Sequence, residues 1–240
     1  MTKIFTKRLF LIIATIIMKA FMTSTKRVAL ITGATDGIGE FTASLLAGAS
    51  YRVLIHGRSQ ERLRNTENKL RNKIYGADIV SLQPHDLSSI QGTKDFASHV
   101  LQSLGNDGEL DLLINNAGVF TGSDSKVLTD DGIELTFAVN VVAPYILFSM
   151  LMPLLKRTRE SRIINVSSIS QGGKILDENY FPNRLSRITN GSFSAHGAYS
   201  HSKLCIAALN HELAKRITAE DSLCLSCDPG TVNTKMLLAG

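Results

Sequence analysis

The sequence predicts an α/β protein: a doubly wound parallel sheet with helices on both faces. Three observations carry that expectation. Short apolar runs rich in branched residues alternate along the chain with longer amphipathic stretches, as in repeated βαβ units. A glycine-rich stretch, Thr32-Gly33-Ala34-Thr35-Asp36-Gly37-Ile38-Gly39, follows the first apolar run and opens a helix-like segment. Polar residues with distinctive chemistry close several later runs, at the carboxyl edge where open α/β sheets bind ligands.

The strands are expected at 27–32, 51–56, 77–83, 110–115, 162–167 and 223–227, with helices between them. After the first strand, glycines permit a tight turn and let backbone N–H groups approach a pyrophosphate at the positive end of the following helix. A nucleotide cofactor is therefore expected over Gly33, Thr35, Asp36, Gly37, Ile38 and Gly39. The fourth strand ends in Asn115-Asn116-Ala117-Gly118, which places Asn116, Ala117 and Gly118 beside that turn. Asn165-Val166-Ser167-Ser168 closes the fifth strand and presents Ser168 at the same edge. On a helix expected over 198–217, Tyr199 and Lys203 lie four apart, which puts phenol and ammonium on one face. There the cation is expected to favour phenolate and lower the tyrosine pKa.

These motifs, with Pro229-Gly230 after the sixth strand, stand in the order found in short-chain dehydrogenases/reductases, which the chain resembles from about residue 26 to its last residue. The segment Ala198-Tyr199-Ser200-His201-Ser202-Lys203-Leu204 and the long interval from Ser168 to Tyr199 are most similar to the retinol-dehydrogenase-like and WW-domain-oxidoreductase-like members. The resemblance implies a Rossmann-type NAD(P)-binding domain over residues 26–240, preceded by a leader at 1–25. It also implies that Tyr199 is the catalytic acid or base, that Lys203 assists it and holds the nicotinamide ribose, and that Ser168 hydrogen-bonds the substrate oxygen. Asn140, on a helix expected over 131–156, would complete the set by fixing a water near the lysine. Ser167 is the rival to Ser168.

At the end of the second strand, His56-Gly57-Arg58-Ser59 has no carboxylate to bind the adenosine ribose, and Arg58 suits a 2′-phosphate. NADP(H) is thus favoured over NAD(H); the plainer alternative for Arg58 is a surface arginine like Arg62 and Arg64. Asp86-Leu87 matches the family position that meets adenine, the alternative for Asp86 being a helix N-cap. Pro229, Gly230, Thr231, Val232 and Thr234 would contact the nicotinamide and phosphates, as the matching segment does in relatives.

The chain ends shortly after Thr234, so the family's substrate-covering helix and last strand are expected to be absent. The insert at 171–197 carries Tyr180, Phe181, Leu185, Ile188 and Phe193; it would form an apolar wall beside the nicotinamide or a surface excursion. Residues 9–18 are apolar apart from Thr15 and flanked by Lys7, Arg8 and Lys19. That decamer is short for a bilayer span. It implies a membrane-attached or secretory-pathway protein if used, and a cytoplasmic one if the working chain starts at Met22.

The net charge of +5 gives no nucleic-acid footprint, because Lys3, Lys7, Arg8 and Lys19 of the leader account for most of it. Cys205, Cys224 and Cys227 are too few for a disulfide framework; Cys224 and Cys227, three apart on a strand, point to opposite faces as small core residues. No histidine pair has metal-ligand spacing, and no metal is expected. The function that the resemblance implies is NADP(H)-dependent interconversion of a carbonyl and an alcohol on a small apolar substrate, and it further implies homo-oligomers formed through the two long helices. The alternatives are a non-catalytic NADP(H)-binding sensor and a fragment of a longer reductase.

Overall fold

The computed structural model describes residues 26–123, 125–172, 193–217 and 222–230. The leader, most of the 171–197 insert, and Thr231, Val232 and Thr234 lie outside the described residues. Six parallel strands form one sheet in the order β3-β2-β1-β4-β5-β6, with β1 Val28–Ile31, β2 Arg52–Ile55, β3 Asp78–Ser81, β4 Leu112–Asn115, β5 Ser161–Val166 and β6 Ser222–Cys227. The strand order reverses beside β1, so the carboxyl ends of β1 and β4 flank a crevice, the usual ligand position in open α/β sheets.

Register explains why these runs are apolar throughout. Val80, Leu54, Leu30, Leu113, Ile163 and Cys224 align across the sheet and face one core; Ser81, Ile55, Ile31, Ile114, Ile164 and Leu225, one residue along, face the other. A strand covered on both faces has no solvent side to keep polar. Cys227 belongs to one core and Cys224 packs against the other, so the two thiols do point to opposite faces.

Helix α1, Gly37–Gly48, starts where the Asp36 carboxylate accepts from Gly37 N at 2.8 Å, and buries Ala43, Leu46 and Ala47. Helix α2, Gln60–Lys73, is capped by Ser59, whose Oγ accepts from Arg62 N at 3.3 Å. Helix α3, Ile90–Leu104, is capped by Ser89, not by Asp86. Its Phe96, Ala97 and Val100 pack in one core with Leu147, Leu151, Leu154 and Leu155 of α4, Ala143–Arg157. The helical path into α4 begins at Leu135 and not at 131, because Glu134 caps it by accepting from Thr136 N and Phe137 N while Gly132 holds a left-handed φ of +72°. Between that first turn and α4 lies a π-helical segment, Ala138–Val142. Helix α5, Ala195–Arg216, is capped by Ser194 and packs against β6.

Candidate active site

The glycine-rich turn is locked to the end of β4 by side-chain bonds. Thr32 Oγ1 accepts from Asn116 N and Ala117 N, each at 3.0 Å, and Asn116 Nδ2 donates to Thr32 O at 2.9 Å and Gly33 O at 3.1 Å. Gly33 has φ +64°, and a Cβ there would lie 2.9 Å from Ala117 Cα. Gly39 serves packing: a Cβ would strike Gly33 O and come 2.6 Å from Asn116 Nδ2, so it holds α1 against the turn from behind.

In front of the turn opens a cleft of about 1010 Å³. At one end it is lined by Asp36, Arg58, Arg62 and Asp86, along its length by Gly33, Thr35, Gly37, Ile38, Leu87, Asn116, Ala117 and Gly118, and at the far end by Ser168, Tyr199, Lys203, Pro229 and Gly230. Gly39 and Asn140 sit outside the lining. Asp86 is exposed, and its carboxylate accepts from Ser88 N at 2.9 Å in a local turn.

The far end is assembled from the residues that follow β5 and from α5. Ser167 is buried and spends its hydroxyl on Gln171 Oε1 at 2.6 Å and Lys203 O at 3.2 Å. Ser168, which lines the cleft beside Ser167, hydrogen-bonds Tyr199 and accepts from Ser170 Oγ at 2.9 Å. Of the two serines, Ser168 is the one bonded to Tyr199.

Lys203 is 4 % exposed and donates from Nζ to Val166 O at 2.7 Å. An ammonium carries three N–H groups, so two remain for a bound group on the cleft side. Burial lowers its pKa to about 8, opposed by the nearby Cys227 thiol. The expected lowering of the Tyr199 pKa by Lys203 is not found. Nζ lies 5.5 Å from the ring centroid and is turned to Val166 O. Burial therefore dominates and raises the phenol pKa, with the Ser168 hydrogen bond lowering it and the Asp228 charge raising it. Tyr199 is a protonated phenol at neutral pH.

Asn140 occupies the π-helical segment and is 2 % exposed. Its Oδ1 accepts from Val119 N at 2.8 Å, while Nδ2 donates to Val119 O at 3.1 Å and Ser202 Oγ at 3.0 Å. The amide thus ties the 116–120 loop to α5. Phe120, held by that loop, packs edge-on against Tyr199 with centroids 5.5 Å apart.

Sequence reasoning missed Phe120 and His56. The His56 ring bridges two loops, with Nδ1 taking Gly33 N–H at 3.4 Å and Nε2 meeting His85 O at 3.1 Å. Burial pulls its pKa down to about 4, so the ring is neutral. An apolar run ending in a lone polar ring next to a glycine turn is the signal that was available. Among the described residues no group of three or more His, Cys, Asp or Glu could hold a metal.

A family model described as short chain dehydrogenase matches residues 27–176. The human protein named dehydrogenase/reductase SDR family member 13 is 34% identical over 212 residues, covering 88% of this chain and 53% of that protein. Mouse retinol dehydrogenase 11 is 34% identical over 210 residues, 88% of this chain and 63% of that protein. Mouse polyprenol dehydrogenase is 32% identical over 216 residues, with 88% and 61% covered. The chain thus spans little more than half to three-fifths of the length of these curated relatives. Among solved structures, the Pseudomonas aeruginosa RhlG/NADP active-site complex superposes with a TM-score of 0.68 at 28% identity, covering 90% of this chain and 77% of that one. A metagenomic short-chain oxidoreductase in complex with NADP gives 0.65 at 27%, with 83% and 81% covered. By its matched family model, its relatives and its sheet, the chain belongs to the short-chain dehydrogenase family.

Proposed function

We propose that this protein is an NADP(H)-dependent oxidoreductase that interconverts a carbonyl and an alcohol on a small apolar substrate. The observation that carries the proposal is the meeting of Ser168, Tyr199 and a buried, half-satisfied Lys203 at one end of a long cleft whose other end bears Arg58. The cleft fits a dinucleotide by the chemistry of its donors. Gly33, Gly37 and Ile38 line it at the start of α1, where backbone N–H groups and the helix dipole suit a pyrophosphate. Lys203 offers two donors to ribose hydroxyls, and Arg58, with no hydrogen-bond or ion-pair partner among the described residues, offers a planar fork to a 2′-phosphate.

The nicotinamide, when bound, supplies or accepts the hydride. The chain's own groups manage the oxygen and its proton. Ser168 donates a hydrogen bond to the substrate oxygen, and Tyr199 gives its proton to the same oxygen as negative charge grows there. In the oxidative direction Tyr199 removes that proton. Asn140, through Val119 and Ser202, keeps the loop carrying Phe120 in register with Tyr199.

The relatives named for retinol and polyprenol, both apolar alcohols, support an apolar substrate class, as do the apolar Phe120, Val139 and Ile169 that line the cleft. Attachment to a membrane through residues 9–18 and homo-oligomerisation belong to the same proposal. The test is oxidation of NADPH by the 240-residue chain with a panel of retinoid, isoprenoid and quinone carbonyls, beside Tyr199→Phe. Turnover that the substitution removes supports the proposal. Tight NADPH binding without turnover across the panel contradicts it and favours a non-catalytic nucleotide-binding protein.

A further inference from the structure

The adenosine end of the cleft carries an acid where a phosphate-bearing cofactor would meet it. Asp36 belongs to the glycine-rich turn and lines the cleft with Arg58 and Arg62. Gly57 lets these groups lie close together, since a Cβ there would lie 2.7 Å from Thr35 Cγ2 of the turn. The Asp36 carboxylate is held from both sides. Oδ1 caps α1 through Gly37 N at 2.8 Å, and Oδ2 accepts from Arg62 Nη2 at 3.3 Å, while the same Nη2 donates to Thr35 O at 3.4 Å. Asp86, on the loop after β3, adds a second exposed carboxylate to this end.

We propose that Arg62 is a specificity-determining residue: its ion pair with Asp36 cancels the acid of the glycine-rich turn, which leaves Arg58 to take a 2′-phosphate. The inference rests on the NADP(H) function proposed above. The charge count decides it. Arg58 and Arg62 balance Asp36 and Asp86; without Arg62 this end becomes net negative, against a phosphate monoester of about −2 charge. A cofactor with a free 2′-hydroxyl shares the pyrophosphate but lacks this monoester charge, so the change weakens it less. Arg62 and Asp36 side chains are 52% and 43% exposed, so the effect weakens with salt.

The experiment titrates NADPH and NADH, by cofactor fluorescence at low salt, into the wild-type chain, Arg62→Ala, Arg62→Ala/Asp36→Asn and Arg58→Ala. Asparagine caps a helix as well as aspartate does, so the double variant removes charge while keeping the α1 cap. We expect Arg62→Ala to lower the NADPH-to-NADH affinity ratio about tenfold, an effect of about 1.4 kcal/mol. The double variant is expected to recover to within about threefold of wild type. An unchanged ratio in Arg62→Ala, or a double variant as poor as the single one, overturns the inference. A loss that Asp36→Asn does not repair assigns Arg62 a purely structural role through Thr35 O. The wild-type and Arg58→Ala arms report on the parent proposal separately: a wild-type preference for NADH overturns NADP(H) use itself, whatever Arg62 does.

Discussion

Lys203 Nζ donates to the carbonyl oxygen of Val166 at 2.7 Å, so the buried cation of α5 is anchored to the last residue of β5 and not to the phenol of Tyr199. This places the ammonium on the cleft side of the sheet edge with hydrogen-bonding capacity to spare, at a cost in desolvation.

Replacing Lys203 is expected to trade activity for stability. The unfolded lysine keeps its proton up to about pH 10.5, whereas the folded one releases it near pH 8, so the folded state carries the penalty in full below pH 8 and loses it as pH rises toward 10.5. At about 1.4 kcal/mol per pKa unit the penalty is about 3 kcal/mol before the Val166 hydrogen bond is lost. Lys203→Met should raise the unfolding free energy at pH 7 by about 1–2 kcal/mol in urea titrations and reduce turnover at least about 100-fold.

His56 is expected to control the acid limb of stability. Its folded pKa of about 4 lies below the usual 6.5, so the unfolded chain binds the extra proton first. Stability from the neutral ring is fully present above pH 6.5 and declines as pH falls from 6.5 to 4. Denaturant midpoints measured across that window should drop in the wild type and change less in His56→Gln.

Asn140→Ala should remove the side-chain partner of the Val119 N–H and carbonyl, together with the bond to Ser202. A loss of about 2–4 kcal/mol in unfolding free energy is expected. Because the loop it releases carries Phe120 against Tyr199, kcat should fall more than cofactor affinity does.

Gly39→Ala tests the turn from behind. The added methyl meets Gly33 O and the Asn116 amide, neither of which is a flexible chain end. Calorimetry should show a fall in Tm equivalent to about 2 kcal/mol or more, with NADPH affinity lost in parallel.

Much of this architecture is legible in the sequence. Runs such as Val28 to Ile31 are apolar at every position because both faces of the sheet are covered, and that continuity gave all six strands to within one or two residues at most ends. The glycine turn, Asn116, Ser168, Tyr199 and Lys203 fall at strand ends and on one helix as the sequence places them, and all line the cleft. What was not readable depends on contacts between distant segments. The direction of the Tyr199 pKa depends on where Lys203 Nζ finds its acceptor, 37 residues away in sequence, and the roles of His56 and Asn140 depend on loops they only meet after folding. The start of the helical path at Leu135 was hidden because Glu134 caps it, a residue less common in that role than Ser, Thr, Asp or Asn.

The most direct test of the central claim is label transfer. The chain is incubated with NADPH deuterated at the transferable position and an apolar aldehyde, and the alcohol is read by mass spectrometry. One deuterium at the carbinol carbon in the wild type, and none with Tyr199→Phe, is the result this account requires. Alcohol formed without label, or equal label from the Tyr199→Phe chain, would contradict the assignment of Tyr199, Ser168 and Lys203 as a hydride-transfer site.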